Sequence, residues 1–294
     1  MLMKVIKCAY GLLVVINFFA PQGVAAQKQV FPYEINSWVI RDIPTGIAYG
    51  SALAGLYLLG DNLVSRAEAF DSTDLISSTE IGFFDRYATR QWSDSWDSFS
   101  DQLLWGMGAA TAASLAVVLS NQEQVSGSTI WSNSATLALM AAELLVINKG
   151  LTDLVKGGVR RRRPYVHNQD LTFNQKFQIA TEDQDLFLSF FSGHSAATFS
   201  AAAFISTVVA DATDAPDWAK GLVWGSTMSV AALTAYARVA AGRHFPSDVI
   251  VGAIVGSAIG HLIPRSHRLG GDANVHITNH GYQGIGIGIQ IPVS

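Results

Sequence analysis

The sequence predicts an all-α, membrane-associated helical bundle that ends in a small β-hairpin-like tail. Three observations carry this. Apolar residues fill 49% of the 294 positions and charged residues only 14%, where a soluble domain carries about a quarter charged residues. From residue 102 the chain is a series of Ala-rich apolar runs, near 102–120, 133–155, 194–211, 219–240 and 247–263, each rich in Gly, Ala, Ser and Thr. Small residues let helices approach closely, as they do inside membranes. The tail has period two instead: Ile285, Ile287, Ile289 and Ile291 alternate with Gly284, Gly286, Gly288 and Gln290. Val275 and Ile277 alternate before Asn279-His280-Gly281, a turn signal, so a hairpin is expected there.

The net charge of −4 gives no global basic field, which excludes nucleic acid as a partner. A single cysteine, Cys8, excludes a disulfide framework and a cysteine metal cluster. At the N-terminus Lys4 and Lys7 precede an apolar run from Cys8 to Ala20. Pro21 and Gly23 break it, and Val24-Ala25-Ala26 precede Gln27. That order predicts an export signal or N-terminal anchor over residues 1–26. A mixed N-terminal region is expected over 27–98, a catalytic core over 99–270 and the Gly/Ile-rich tail over 271–294. Within the N-terminal region, 43–60 is apolar but rich in Gly and makes a weaker helix. Residues 61–101 are polar, and Trp92, Trp96 and Phe99 interrupt them. These rings suit a membrane–water boundary or a core equally well.

Three short motifs carry chemistry. The first is Lys156-Gly-Gly-Val-Arg-Arg-Arg-Arg163-Pro164. Gly157 and Gly158 are expected to end the preceding helix, and Pro164 pushes Arg163 toward an extended backbone. Two cations are thereby fixed at a helix end and in the loop after it. Arg offers a planar fork to phosphate oxygens and Lys a point charge. The second is Phe191-Ser192-Gly193-His194. Ser192 reads as the N-cap of the helix behind it. Free N–H groups at Gly193 and His194 then face an anion, and Gly193 allows close approach. The third is Arg238-Val-Ala-Ala-Gly242-Arg243-His244-Phe-Pro246-Ser-Asp248. Gly242 breaks one helix, and Pro246 and Asp248 open the next. His244 sits in the corner, with Asp248 close enough in sequence to bond one ring nitrogen. That bond would fix the tautomer and leave the other nitrogen as a nucleophile.

In this order the motifs Lys-x6-Arg-Pro, Ser-Gly-His and Arg-x5-His-x3-Asp resemble the signature of the type 2 phosphatidic acid phosphatase (PAP2) superfamily, which also holds bacterial acid phosphatases and vanadium haloperoxidases. The resemblance covers roughly residues 100–268. Phe191 stands where the pattern has Pro, and Ala237 where it has Ser. The resemblance implies that Lys156, Arg163 and Arg238 hold a phosphate together with Ser192 and the Gly193 amide. It also implies that His244 attacks phosphorus and Asp248 orients it. His194 would protonate the leaving oxygen and then activate water. No metal and no cofactor is implied. The expected substrate is a lipid phosphate monoester or pyrophosphate at a membrane bilayer. Candidates are phosphatidic acid, phosphatidylglycerol phosphate, polyprenyl pyrophosphate and the phosphates of lipid A.

Two alternatives stand beside this reading: a vanadium-dependent haloperoxidase using the same cage, and a non-catalytic membrane lipid-binding protein. Arg160, Arg161 and Arg162 are expected to tune the site or meet anionic headgroups. His167, His261, His267, His276 and His280 are expected at surfaces or interfaces. Arg265 and Arg268 follow the last helix, and the positive-inside rule places them in the cytoplasm. This puts the site in the periplasm of a bacterial envelope, at the inner membrane, provided that 43–60 does not span.

Overall fold

The computed structural model describes residues 31–35, 43–67, 69–76, 80–120, 127–268, 274–279 and 285–290. The expected export signal over 1–26 and the turn at His280-Gly281 lie outside the described residues. Seven α-helices are described: α1 (Ile43–Ala67), α2 (Asp94–Ser120), α3 (Gly127–Val159), α4 (Phe173–Asp183), α5 (Gly193–Ala212), α6 (Asp217–Ala240) and α7 (Pro246–Ser266). Two strands follow, β1 (Asn274–Asn279) and β2 (Ile285–Gln290). They pair antiparallel, with Val275 opposite Ile289 and Ile277 opposite Ile287. The predicted bundle is present, and so are the two paired strands of the expected hairpin.

Segments Asp94–Ser120, Ile130–His167, Gly193–Ala212 and Pro246–Ser266 are long and apolar enough to cross a membrane. Large apolar side chains cover the outer faces of three of them: Trp105 on α2, Trp131 and Leu145 on α3, Ile254 and Leu262 on α7 are all exposed. A protein in water rarely leaves such continuous apolar faces open. A helix in lipid satisfies its backbone internally and needs only an apolar exterior. This is an all-α membrane bundle. Helix α1 is not among the four candidate spans, although it is continuous over Ile43–Ala67.

Helix α5 is the hub. It packs on α7, α6, α2 and α3, and Ala202, Phe204, Ile205 and Val208 are fully buried on it. Its contact with α7 is unusually close. A Cβ at Gly252, Gly256 or Gly260 of α7 would meet the carbonyl oxygens of Ser192, Ala196 and Ser200 at 2.7, 2.1 and 2.0 Å. Only Gly permits that approach, and its four-residue repeat keeps one face of α7 bare. The paired positions rise together, so α5 and α7 run parallel and begin at the same end of the bundle. By the same logic Gly150 lies against Leu56, and Gly157 against Leu63, so α1 and α3 run parallel to one another. At the opposite end Phe31, Tyr33, Leu137, Phe204 and Ile263 form one apolar cluster.

The structure departs from the sequence reading in three places. Helix α3 continues through Gly157 and Gly158 to Val159 and ends at Arg160, whose φ is +51°. Gly157 serves instead as a crossing point, since a Cβ there would lie 2.5 Å from Leu63 Cβ. His267 is buried rather than at a surface. Its Nε2 lies 2.9 Å from Glu143 Oε2 and its Nδ1 3.1 Å from the Glu34 carbonyl, while Tyr49 donates to Glu143 at 2.9 Å. This cluster explains how α3 carries a carboxylate: Glu143 is partnered on both oxygens. Helix α4 was not foreseen. Thr172 and Gln175 open it with reciprocal cap bonds, between the first and second motifs.

Candidate active site

Five helix ends converge where α5 and α7 begin. Helix α3 arrives with Lys156, and its following loop carries Arg163 in an extended conformation (φ −74°, ψ 156°) just before Pro164, as the Pro predicts. Arg163 is almost fully buried. It donates through Nη1 to the Arg243 carbonyl at 2.8 Å and through Nε to the Asp185 carbonyl at 3.1 Å. Its Nη2 pairs with Asp185 Oδ2 at 2.7 Å. Such multiple anchoring fixes the guanidinium plane.

Ser192 caps α5, accepting the Ser195 N–H at 3.4 Å. Its own N–H donates to the Asp248 carbonyl at 3.1 Å, which ties the second motif to the third. A Cβ on Gly193 would come within 3.8 Å of Lys156 Nζ and 3.2 Å of Thr152 Cγ2. The ammonium and the first turn of α5 thus share one recess. Helix α6 ends at Ala240, and Gly242 turns the chain with φ +71°. A Cβ there would meet the Gln91 carbonyl oxygen at 2.1 Å, so the turn needs Gly for both backbone conformation and space. Arg238 is buried beside it. Its Nη1 bonds Asp97 and, at 3.0 Å, Ser100 Oγ. Its Nε is a buried donor with no partner among the described residues. Such a donor is costly unless an acceptor reaches it.

His244 is fully buried in the corner. Its Nδ1 lies 2.8 Å from the Ser189 carbonyl oxygen. A carbonyl only accepts, so Nδ1 carries the hydrogen and Nε2 keeps its lone pair. Nε2 faces Arg163 Nη1 at 3.4 Å. Burial first, and then the charges of Arg163, Arg238 and Lys156, hold the imidazole well below the ordinary histidine pKa.

The expected contact between Asp248 and His244 is looser than the spacing suggested. Asp248 Oδ2 is 3.7 Å from Nδ1, beyond a hydrogen bond. The carboxylate is occupied elsewhere, because it caps its own helix by accepting the Phe245 N–H at 2.9 Å. It also accepts from Ser189 Oγ and from Arg161 Nη1, each at 2.5 Å. Asp248 therefore reaches His244 through Ser189, whose hydroxyl it holds and whose carbonyl holds the ring. Arg161 goes on to Asp85 Oδ2 and Ser247 Oγ, both at 2.7 Å. Burial raises the Asp85 pKa, but hydrogen bonds from Ser247 and Arg161 outweigh it and hold the carboxyl below its usual range.

His194, on the first turn of α5, places Nε2 2.8 Å from Asp101 Oδ1. Lys156, Arg163, Ser192, Gly193, His194, Arg238, His244 and Asp248 thus gather around one recess. Sequence reasoning missed Ser189, Arg243, Asp85, Asp97 and Asp101. Arg243 had a signal, since it lies inside the third motif; it pairs with Asp97 at 2.7 Å and with Asp183, and stacks over Trp92 at 4.8 Å. The carboxylates had none, because they reach the site only through folding.

The PAP2 superfamily model matches residues 134–270. Residues 134–270 belong to the PAP2 superfamily. No curated protein and no solved structure matches the chain. PAP2 membership points to phosphatase or phosphoesterase activity in general. The PAP2 segment contains all three motifs and ends beyond α7. Helix α2 lies upstream of it, yet brings Asp97 and Asp101 into the PAP2 site.

Proposed function

We propose that this protein is a metal-independent phosphatase that hydrolyses a lipid phosphate monoester or pyrophosphate through a phosphohistidine. The observation that carries the reading is the Ser189 carbonyl at His244 Nδ1. It leaves Nε2 as a neutral, buried nucleophile facing Arg163. In the first step Nε2 attacks phosphorus, the bond from phosphorus to the leaving oxygen breaks, and His194 gives that oxygen a proton. In the second step His194, now neutral, takes a proton from water as its oxygen attacks the phosphohistidine. The P–N bond breaks, inorganic phosphate departs, and Nε2 regains its lone pair. Lys156, Arg163, Arg238 and the Gly193 amide stabilise the charge on the transferring phosphoryl oxygens, and Ser192 shapes the turn that presents the amide. Asp248 acts on His244 through Ser189.

A lipid substrate is supported by the site's position at one end of a membrane bundle, beside open apolar helix faces. Arg265 at the opposite end of α7 favours an orientation with the site in the periplasm of a bacterial inner membrane. Selective labelling of single-cysteine variants at Lys176 and Arg265 by a membrane-impermeant maleimide tests that orientation; labelling of the Arg265 variant alone from outside contradicts it.

The deciding experiment uses rapid quench with a radiolabelled lipid phosphate in mixed micelles. An acid-labile, alkali-stable phosphoprotein is expected in wild type and absent from His244→Ala. Turnover without any such species in wild type refutes the mechanism. Phosphate release from phosphatidic acid, phosphatidylglycerol phosphate, polyprenyl pyrophosphate and lipid A, against glycerol 3-phosphate, identifies the substrate class. Preference for glycerol 3-phosphate rejects the lipid reading.

A further inference from the structure

Asp97 and Asp101 stand four residues apart in the first two turns of α2, so they share one face of the helix. That face is turned into the recess, and the two carboxylates do different things there. Asp97 joins the arginines: it bonds Arg238 and accepts from Arg243 Nε at 2.9 Å. Asp101 bonds His194 Nε2 at 2.8 Å. Its side chain is half exposed, so it lies at the mouth of the recess and not within the packed interior. A carboxylate accepts, so Nε2 carries a hydrogen toward Asp101. Nδ1 is then the nitrogen free to exchange a proton with substrate.

We propose that Asp101, contributed by α2 from outside the PAP2 segment, is the positioning residue for His194 in its acid–base role. The inference rests on the phosphatase reading above. A carboxylate on one imidazole nitrogen holds the ring's tautomer and orientation, and stabilises the imidazolium when the other nitrogen is protonated. In the first chemical step the Nδ1 proton of the imidazolium passes to the leaving oxygen, and the Nε2–H···Asp101 bond persists as the ring becomes neutral. In the second step Nδ1 takes a proton from water, and Asp101 again faces an imidazolium. Asp101 gains no proton in either step. The site thus contains two histidines supported in two ways: His244 by a neutral carbonyl, which fixes its tautomer, and His194 by a carboxylate, which favours the charged ring.

The test is single-turnover phosphorylation with two leaving groups. A lipid alkoxide leaves poorly without a proton, and p-nitrophenolate leaves readily. His194→Ala should lose about 100-fold or more on the lipid phosphate and far less on p-nitrophenyl phosphate, as befits a general acid. Asp101→Asn, which keeps shape and hydrogen-bonding reach, should show the same selectivity with a loss of about tenfold on the lipid phosphate. Asp101→Glu should restore most of it. In the His194→Ala background Asp101→Asn should cause no further loss, because residues acting as one unit are not additive. Equal losses on both substrates for Asp101→Asn, full additivity with His194→Ala, or faster turnover in Asp101→Asn each overturn the inference while leaving the phosphatase reading intact. Leaving-group independence of His194→Ala itself removes the acid role and the inference with it.

Discussion

The imidazole of His244 donates its Nδ1 hydrogen to the backbone carbonyl of Ser189, 2.8 Å away. A backbone acceptor cannot be titrated, so the tautomer that exposes Nε2 is held at every pH at which the ring is neutral. His244→Ala should therefore lose on the order of 10³-fold or more in phosphate release. Its unfolding transition in detergent should remain cooperative. Turnover within tenfold of wild type means that another group attacks phosphorus.

Buried neutral His244 also makes folding stability depend on pH. Its folded pKa lies well below the ordinary value, and in the unfolded chain it titrates near about 6.5. Between these values the unfolded chain binds a proton that the folded chain does not. Stability is therefore fully present above about pH 6.5 and falls as pH drops below it, at up to about 1.4 kcal/mol per pH unit from this residue. Thermal unfolding midpoints measured between pH 7.5 and 5.5 should fall more steeply for wild type than for His244→Gln. Parallel slopes in the two proteins contradict the buried neutral ring.

Chelation offers a direct check on the charge balance. Burial first, and then the charges of Arg163, Arg238 and Lys156, depress the His244 pKa, and in the proposed mechanism these fixed cations take the role a divalent metal plays in other phosphatases. Activity should persist in excess EDTA and be inhibited by vanadate, which mimics the five-coordinate phosphorus. Loss of turnover in EDTA, with recovery on added magnesium, rejects this mechanism. Vanadate-dependent bromide oxidation would instead favour the haloperoxidase alternative.

Helix α7 supplies a test of packing. Gly256→Ala introduces a methyl 2.1 Å from the Ala196 carbonyl oxygen, so α5 and α7 must part. A loss of about 1–3 kcal/mol is expected, as for other overpacked contacts, with a fall in kcat as the two ends of the site shift. Gly221→Ala on α6 is the control, since nothing lies within 4 Å of the new methyl. It should be neutral or stabilising by up to about 1 kcal/mol. Equal effects at both positions exclude close packing as the cause.

The parts of the site that were readable in the sequence are those whose chemistry and position are both local. Lys156 to Arg163, Ser192 to His194 and Arg238 to Asp248 each form a short motif at a helix end, and the last two lie at the ends that their caps and breakers foretold. Ser192 was legible as a cap, Gly242 as a turn and Pro246 as a helix start. The partners that hold these groups in place were not legible. Asp101 meets His194 across 93 positions of chain and Asp85 meets Arg161 across 76. Nothing in the spacing of Asp85, Asp97 and Asp101 distinguishes them from the other acids of a polar stretch. Asp248 was misread in detail because a four-residue interval fixes which groups are near, while three competing donors decide which of them bond. The end of α3 was misplaced for a related reason: a glycine pair reads as a stop, but Gly157 is needed where Leu63 crosses.

Side chains over most of the bundle interlock through rotamers, which can exchange. Between α5 and α7 there are none at Gly252, Gly256 and Gly260, and the main chains touch directly. The interval between the turn that begins at Ser192 and the turn that begins at Phe245 is consequently a length set by bond geometry, as in a caliper with no play in its screw. Alterations in lipid thickness or tilt can move the two helices together as one plate, but cannot change the gap between the residues they carry.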